Sequence, residues 1–548
     1  MILPRRVVYP LLAAMTLINL VFRYPVDIPH ELGSDTTFVH SLADSIMIGG
    51  HAAWIVHPLS YFGLYSLSYP SAMPFWFASA SELSGAPVEF GTLAFGWIVS
   101  LIACWGGFLF ARALRRDDAF ALLVALLFPL APFFIKDTFW VASTRGFVVG
   151  MLPVILMLLI HSMRRRYLRD TMIALALFVL LAAIHRMGVL SLFFLAAYVF
   201  AIPFHKLTQR LRFALVRYER QTRYGIALTA VGVFFGVFYV QYLYPGILGA
   251  NLIDQYGTSA LFNDDTFPGL ALNMGVSLSG KVGPLFLLAP IGLLAYIWKR
   301  PKEATDKFVL TATLLFLPLL SLRDYIAEFL IPLFIVLAAV ALFSVQFNRR
   351  KLVIATLALV MIGSLGFSWE MKDYWRNQYG TDAPTSESSY STGVYLSHMT
   401  NGTLVANNGL LAGRLAAITG RSVLPLGGAS LHWTGPQELA WHFLTPNDIH
   451  VQLLPLTSIS FNTDEIYVAL GLRNVETDWE TMLFYNDPVQ ARQLFAAFEV
   501  HYIIVDAQRP TSFLSYAHDR SSAYLASVLP NSYYTFYQDG AVTVWFRG

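Results

Sequence analysis

Acidic and basic residues recur in this chain at the ends of long apolar runs. Lys136-Asp137 follows one run and Thr144-Arg145 opens the next, while His185-Arg186 and Arg323-Asp324 stand at two later breaks. Longer polar stretches hold Asp27, Glu31, Asp35, Asp44, Asp254, Asp264 and Asp265. Charge set against membrane-length apolar sequence is costly, so such positions are default site candidates. Both signs together suit a substrate with a phosphate leaving group and a hydroxyl nucleophile. A carboxylate accepts the hydroxyl proton. Guanidinium groups hold a phosphate through paired hydrogen bonds and stabilise its charge as it departs. Cysteine has no part in this chemistry: Cys104 stands alone, which excludes an internal disulfide and a cysteine-based zinc site.

The elements that must position these groups are apolar helices. Of 548 residues, 56% are hydrophobic and 13% are charged, about half the charged fraction of a soluble protein. Membrane-length apolar runs fall at 7–22, 90–111, 119–135, 147–162, 171–184, 188–204, 225–243, 283–298, 308–321, 325–346 and 352–367. That predicts a polytopic α-helical membrane protein with about eleven transmembrane helices. The segment 70–84 is short, contains Pro74 and turns polar in its second half, so it reads as an interfacial or re-entrant helix. Arg5 and Arg6 precede the first run and no small-residue cleavage site follows it, which predicts an uncleaved first helix.

Loop charge fixes the expected orientation. With 70–84 left out of the count, alternate connections carry 22 basic residues, among them Arg112, Arg115, Arg116, Arg164 and Lys299. The opposite connections carry six: Arg23, Lys136, Arg145, Arg186, Lys281 and Arg323. The N-terminus is therefore expected in the cytoplasm, with the first outer loop, 23–89, and everything beyond 368 outside. Two outer connections, 23–89 and 244–282, are far longer than a helix hairpin needs, and long loops on a rigid scaffold commonly carry function.

Beyond residue 367 the composition changes to 9 Lys and Arg against 16 Asp and Glu, with a Ser/Thr-rich linker at 381–392. Strand-like 403–406 precedes helical 409–419, Gly420 and strand-like 422–426; helical 488–498 precedes 501–506, and 541–546 closes the chain as a strand. The expected organisation is a transmembrane domain over 1–367 and a C-terminal extracytoplasmic α/β domain over 368–548.

The order of these parts resembles the GT-C superfamily of integral-membrane glycosyltransferases. The matching residues are Gly33-Ser34-Asp35-Thr36 after the first run, then His57-Pro58-Leu59-Ser60-Tyr61 and Ser68-Tyr69-Pro70. In the second outer loop Asp137-Thr138-Phe139-Trp140 and Thr144-Arg145-Gly146 also fit. The tail from Thr403 to Leu426 is similar in layout to the C-terminal domain of archaeal oligosaccharyltransferase catalytic subunits. The resemblance implies Asp35 as the catalytic acid of the first loop and Asp137 as an auxiliary acid. It implies Arg323, with Arg186 or Arg145, as the clamp for a lipid phosphate, and a substrate-binding place for His57. In metal-dependent members the same carboxylates, here Asp35 and Asp137, would hold Mg²⁺ or Mn²⁺; many single-sugar members need no metal, and both alternatives stay open. The implied donor is a polyprenyl-phosphate sugar carrying a hexose or pentose, transferred with inversion to a glycan, lipid or protein acceptor. The implied setting is the plasma membrane with its lipids, and nucleic acid is not an expected partner. One departure stands out. The Trp-Trp-Asp-Tyr-Gly motif of oligosaccharyltransferases is missing, and Val405-Ala406-Asn407-Asn408-Gly409 occupies its place. A single-sugar or short-glycan transferase therefore fits better than an enzyme that reads a protein sequon.

Each of these residues also has a plainer reading. Asp35 suits the first turn of a helix capped by Ser34, with Phe38, Leu42 and Ile46 as its apolar stripe. Arg323 and Asp324 form a natural pair at a helix end. His57 would pack with Tyr61, and Asp264-Asp265 suits a solvated turn. The aromatic residues of 54–77 make an interfacial belt. Two other functions compete with sugar transfer: a lipid-linked glycan transporter or flippase, and a non-catalytic subunit for glycan assembly. The transporter would show charges at mid-bilayer and paired broken helices, whereas here the charges gather at outer helix ends and no halves repeat.

Overall fold

The computed structural model describes residues 4–26, 28–51, 72–165, 167–210, 219–244, 266–299, 302–321, 326–344, 350–376, 385–399, 402–407, 409–421, 423–424, 488–497, 499–506, 533–540 and 542–547, with a few isolated positions besides. Among the described residues it is an α-helical bundle with one small sheet near the C-terminus. The first helices are α1 (Arg5–Phe22), α2 (Ser34–Gly49), α3 (Ala72–Ser84), α4 (Val88–Leu114), α5 (Asp118–Leu127), α6 (Pro132–Lys136), α7 (Thr144–Arg165) and α8 (Leu168–Ile184). Then come α9 (Leu192–Arg210), α10 (Glu219–Leu243), α11 (Phe267–Val282), α12 (Ala289–Trp298), α13 (Ala304–Phe316), α14 (Ile326–Ser344) and α15 (Arg350–Arg376).

Among the described residues, five helical segments are long and apolar enough to cross a membrane: Arg5–Phe22, Val88–Leu114, Thr144–Arg165, Ala304–Ser321 and Ile326–Ser344. At 27 residues α4 reaches about 40 Å, more than a hydrocarbon core of about 30 Å. The run 119–135 is two helices rather than one continuous span: α5 stops at Leu127 and α6 starts at Pro132. Pro129 and Pro132 lack the N–H groups that would continue the ladder. Helix α3 confirms a short helix at 72–84; with 13 residues it lies against α2 and α4.

The core is built by α4, α5, α7 and α14. Helix α14 carries one charged residue, Glu328, and its apolar side chains from Ile326 to Ala339 are buried. Close approach explains two glycines. A methyl group at Gly292 of α12 would strike the Leu337 carbonyl of α14, and one at Gly146 of α7 would lie 2.7 Å from the Asp137 carbonyl oxygen. The second contact lets the loop after α6 lie flat on the start of α7.

The C-terminal part contains α16 (Glu387–Ser397), β1 (Thr403–Ala406), α17 (Gly409–Thr419), β2 (Val423–Leu424), α18 (Pro488–Ala497), β3 (Val500–Asp506), β4 (Tyr533–Asp539) and β5 (Val542–Arg547). The sheet order is β2-β1-β3-β5-β4. Strand β1 runs parallel to both β2 and β3, while β5 runs antiparallel to β3 and β4. The parallel β1–α17–β2 unit follows the alternation read from 403–426, and Gly420, at φ 64°, ends α17. Helix α16 starts inside the stretch expected as a linker and runs five residues past it, capped by the Ser386 hydroxyl, which accepts from the Ser389 amide. Its serines and threonines hid a helix because they bond back to its own carbonyls, as Thr392 does to Ser388. Helix α17 packs on α2 and α16, which joins this part to the segment that carries Asp35.

Candidate active site

Asp35 lies in the first turn of α2, and the residue before the helix is Gly33 at φ 83°. Ser34 is therefore inside the helix, not its cap. Glycine tolerates that left-handed backbone, and the turn it makes aims the start of α2 at the neighbouring loop. The expected stripe is present: Phe38, Leu42 and Ile46 are all buried.

Two hydrogen bonds staple the segment before α2 and its first turn to the loop between α6 and α7. The Leu32 amide donates to the Trp140 carbonyl at 3.1 Å. The Ala142 amide donates to the Thr36 hydroxyl at 2.9 Å. Trp140 holds φ 49°, a strained backbone for an aromatic residue, and its indole N–H donates to the Glu89 carbonyl at 3.2 Å. The end of α1 adds a third tie. Buried Arg23 donates through Nε to the Thr138 hydroxyl at 2.7 Å and through Nη2 to the Pro129 carbonyl at 2.8 Å.

This scaffold brings three carboxylates around one guanidinium. Arg145 Nη2 lies 2.9 Å from Asp35 Oδ2 and 3.9 Å from Asp137 Oδ1, and Nη1 lies 3.7 Å from Glu328 Oε1. The Asp35 side chain is 52% exposed, whereas those of Asp137 and Glu328 are 4% and 2% exposed. A shallow cleft opens here, lined by Asp35, Lys136, Asp137, Arg145, Phe139 and Lys372. Burial pushes the Asp137 carboxyl above the usual carboxylate range, although Arg145 and Lys136 oppose the shift. Lys281, over the Phe133 ring at 5.4 Å, is lowered to about 8 by burial, against the pull of Glu328. Lys372 is buried between Phe139 and Trp369, with its nitrogen 4.1 and 4.7 Å from the two rings.

A second charged cluster lies beside the first. His40 bridges Glu31 at 2.7 Å and Asp44 at 3.4 Å. His30 bridges Glu89 at 3.0 Å and Glu387 of α16 at 3.1 Å, and stacks on Tyr390 at 3.6 Å. Burial disfavours charge on His40, but Glu31, Asp44 and Glu89 outweigh it and raise its pKa to about 9. Burial raises Asp44 to about 6. These bonds and the Thr385 amide, which donates to the Glu31 carbonyl at 3.3 Å, fasten the C-terminal part to the loop carrying Asp35.

Of the residues expected from sequence, the structure brings Asp35, Asp137 and Arg145 together. His57 and Arg323 lie outside the described residues, as do Asp27, Asp254, Asp264 and Asp265. Arg186 is described only through its backbone, at the start of a 3-10 turn that His185 caps by accepting from the Met187 amide at 3.0 Å. Sequence reasoning missed Glu328, Lys281 and Lys372 as site residues. Glu328 had a signal: it is the one charge in an apolar membrane-length helix.

A divalent cation does not fit the described donors. Carboxylate oxygen suits Mg²⁺ or Mn²⁺ in kind, but the three carboxylates converge on Arg145 and its guanidinium stands where the ion would sit. Among the described residues no group of three His, Cys, Asp or Glu side chains is placed to hold a metal.

The apolar helical bundle with its C-terminal α/β unit is similar in fold to solved integral-membrane glycosyltransferases. Solved structures with this fold superpose on most of the chain. The oligosaccharyltransferase AglB of Archaeoglobus fulgidus matches with TM-score 0.56 and 12% identity, over 92% of this chain and 70% of its own. ArnT of Cupriavidus metallidurans matches with TM-score 0.51 and 13% identity, over 98% and 97%. The mycobacterial arabinofuranosyltransferase AftD matches with TM-score 0.51 and 14% identity, over 100% and 42%. AglB has been solved with Zn and sulfate, and also with an inhibitory peptide and a dolichol-phosphate. No protein-family profile matches the sequence, and no curated protein matches it.

Proposed function

We propose that this protein transfers a hexose or pentose from a polyprenyl-phosphate donor to an acceptor at the outer face of the plasma membrane, with inversion. The observation that carries the reading is the half-exposed Asp35 carboxylate, fixed 2.9 Å from Arg145 at the mouth of a cleft on this fold. An acceptor hydroxyl oxygen bonds to the anomeric carbon, and its proton passes to Asp35. The bond from that carbon to the phosphate oxygen breaks, and the electron pair leaves with the polyprenyl phosphate. Asp137 and Glu328 hold Arg145 in place, and Arg145, Lys136 and Lys372 stabilise the departing charge. Arg323 and Arg186 complete the phosphate clamp, and His57 the substrate contacts. No step runs through a metal. That AglB has been captured with a dolichol-phosphate supports a lipid phosphate in this kind of fold.

In the membrane, about eleven helices cross, with the N-terminus in the cytoplasm. The 1–367 part then carries the chemistry and the 368–548 part lies outside, binding the acceptor or holding the loops through α17 and α16. The test is reconstitution of the full chain in proteoliposomes with polyprenyl-phosphate hexose and pentose. Transfer of labelled sugar to a membrane or glycan acceptor is expected. Movement of intact donor across the bilayer with no transfer would replace this reading by a flippase, and mass spectrometry of cell glycans with and without the protein identifies the acceptor.

A further inference from the structure

A second, larger cavity lies at the other end of the same helices. It has Leu114, Ala295 and Val340 on its walls and Arg115, Arg116, Arg164, Lys299 and Glu303 among its lining. Arg145 and Arg164 belong to the same helix, α7, and are about 28 Å apart along it. Glu328 and Ser344 stand likewise about 24 Å apart on α14. The cavity therefore faces the membrane surface opposite the Asp35 cleft. Loop charge assigns that surface to the cytoplasm.

Several of its basic residues are already committed. Arg164 donates to the Ala113 and Leu114 carbonyls at the end of α4 and pairs with Glu303 at 2.7 Å. Lys299 pairs with Asp306 at 2.7 Å, and Arg115 with Asp117 at 3.6 Å. Glu303 and Asp306 are themselves engaged in the capping box that starts α13. Arg116 differs: it is exposed, lines the cavity, and makes no ion pair or hydrogen bond among the described residues. The lining thus carries four cations against one carboxylate, Glu303, with Leu114, Ala295 and Val340 as its apolar part. A soluble anion would satisfy the charge and leave the walls wet, while a neutral lipid would satisfy only the walls.

We propose that this cavity binds the phosphate headgroup of an anionic membrane lipid, with Arg116 as the principal contact and the Leu114–Val340 wall against the first carbons of its chains. Basic pockets between helices at the inner membrane face suit such headgroups. The binding is independent of sugar transfer.

Native mass spectrometry of the full chain in detergent tests it, by titration with phosphatidylglycerol and with phosphatidylcholine of the same acyl chains. Phosphatidylglycerol is expected to bind first and more tightly. Arg116→Ala should weaken it about fivefold and Arg116→Glu about thirtyfold, while Arg116→Lys keeps it within about twofold. Arg169→Glu, at an arginine that is 80% exposed and outside the cavity lining, should leave binding unchanged. The proposal is overturned if Arg116→Glu binds phosphatidylglycerol as Arg116→Lys does, or if Arg169→Glu weakens it equally. Displacement by inorganic phosphate or glycerol phosphate at the same concentration would overturn the lipid assignment in favour of a soluble phosphate.

Discussion

Replacing Asp35 by asparagine separates the structural and the chemical work of that carboxylate. The pair with Arg145 is short, 2.9 Å, and in a water-like dielectric its bare attraction is about 1.4 kcal/mol. The Asp35 side chain is 52% exposed, so solvent screening and side-chain ordering reduce that to about 0.5 kcal/mol of net stability. Arg145 also keeps Asp137 and Glu328 as neighbours, which holds the guanidinium after the change. The asparagine side chain is nearly isosteric with aspartate and keeps the first turn of α2. The expected result is a melting curve almost unchanged in detergent. A general base, by contrast, contributes about 10²- to 10⁴-fold to a proton-transfer step. Sugar transfer from a polyprenyl-phosphate donor should therefore fall by about that factor at unchanged fold, with donor binding retained. The assay is single-turnover transfer in proteoliposomes beside a thermal melt of the same preparation. Full transfer by a folded Asp35→Asn protein would refute Asp35 as the base. A large loss of stability would refute the reasoning that its pair with Arg145 is a screened surface contact.

Two further perturbations follow from the same geometry. Arg145→Ala strands two buried carboxylates and should cost about 3 kcal/mol; Arg145→Lys keeps the charge without the fork and should fall between, as read by thermal unfolding. The His40 cluster makes stability depend on pH. A histidine whose folded pKa is about 9 stabilises the fold fully below its ordinary value near 6.5 and loses that contribution as pH rises through 9. The loss is on the order of 3 kcal/mol. Asp44, raised to about 6, acts in the same direction at lower pH, because the folded state holds the proton more tightly. Lys281, lowered to about 8, adds stability to both proteins above that pH, so the reading is the difference: the native protein's advantage in unfolding temperature over His40→Gln should shrink between pH 7 and 10; parallel curves would show that His40 is not the responsible group.

The apolar runs and the charges at their ends were legible before any packing was known. Asp137 and Arg145 are eight residues apart, which keeps both at one connection between helices, and the acid after Gly33-Ser34 suited the first turn of a helix with a Phe38–Leu42–Ile46 stripe. The strand and helix order from Thr403 to Leu424 was equally readable, because alternation and a closing glycine are local signals. It took three-dimensional packing to show that Asp35 meets Arg145, 110 residues away, and that Glu328 closes the trio from α14. Periodicity shows that a helix has a buried face but not which helix covers it, and an apolar run such as 326–344 has no polar face to orient it. The glycine at 146, the strained Trp140 and the buried Arg23 draw their meaning from backbones that approach only after packing. The acid at position 35 was visible in the chain; its guanidinium partner was chosen by how α2, α7 and α14 meet.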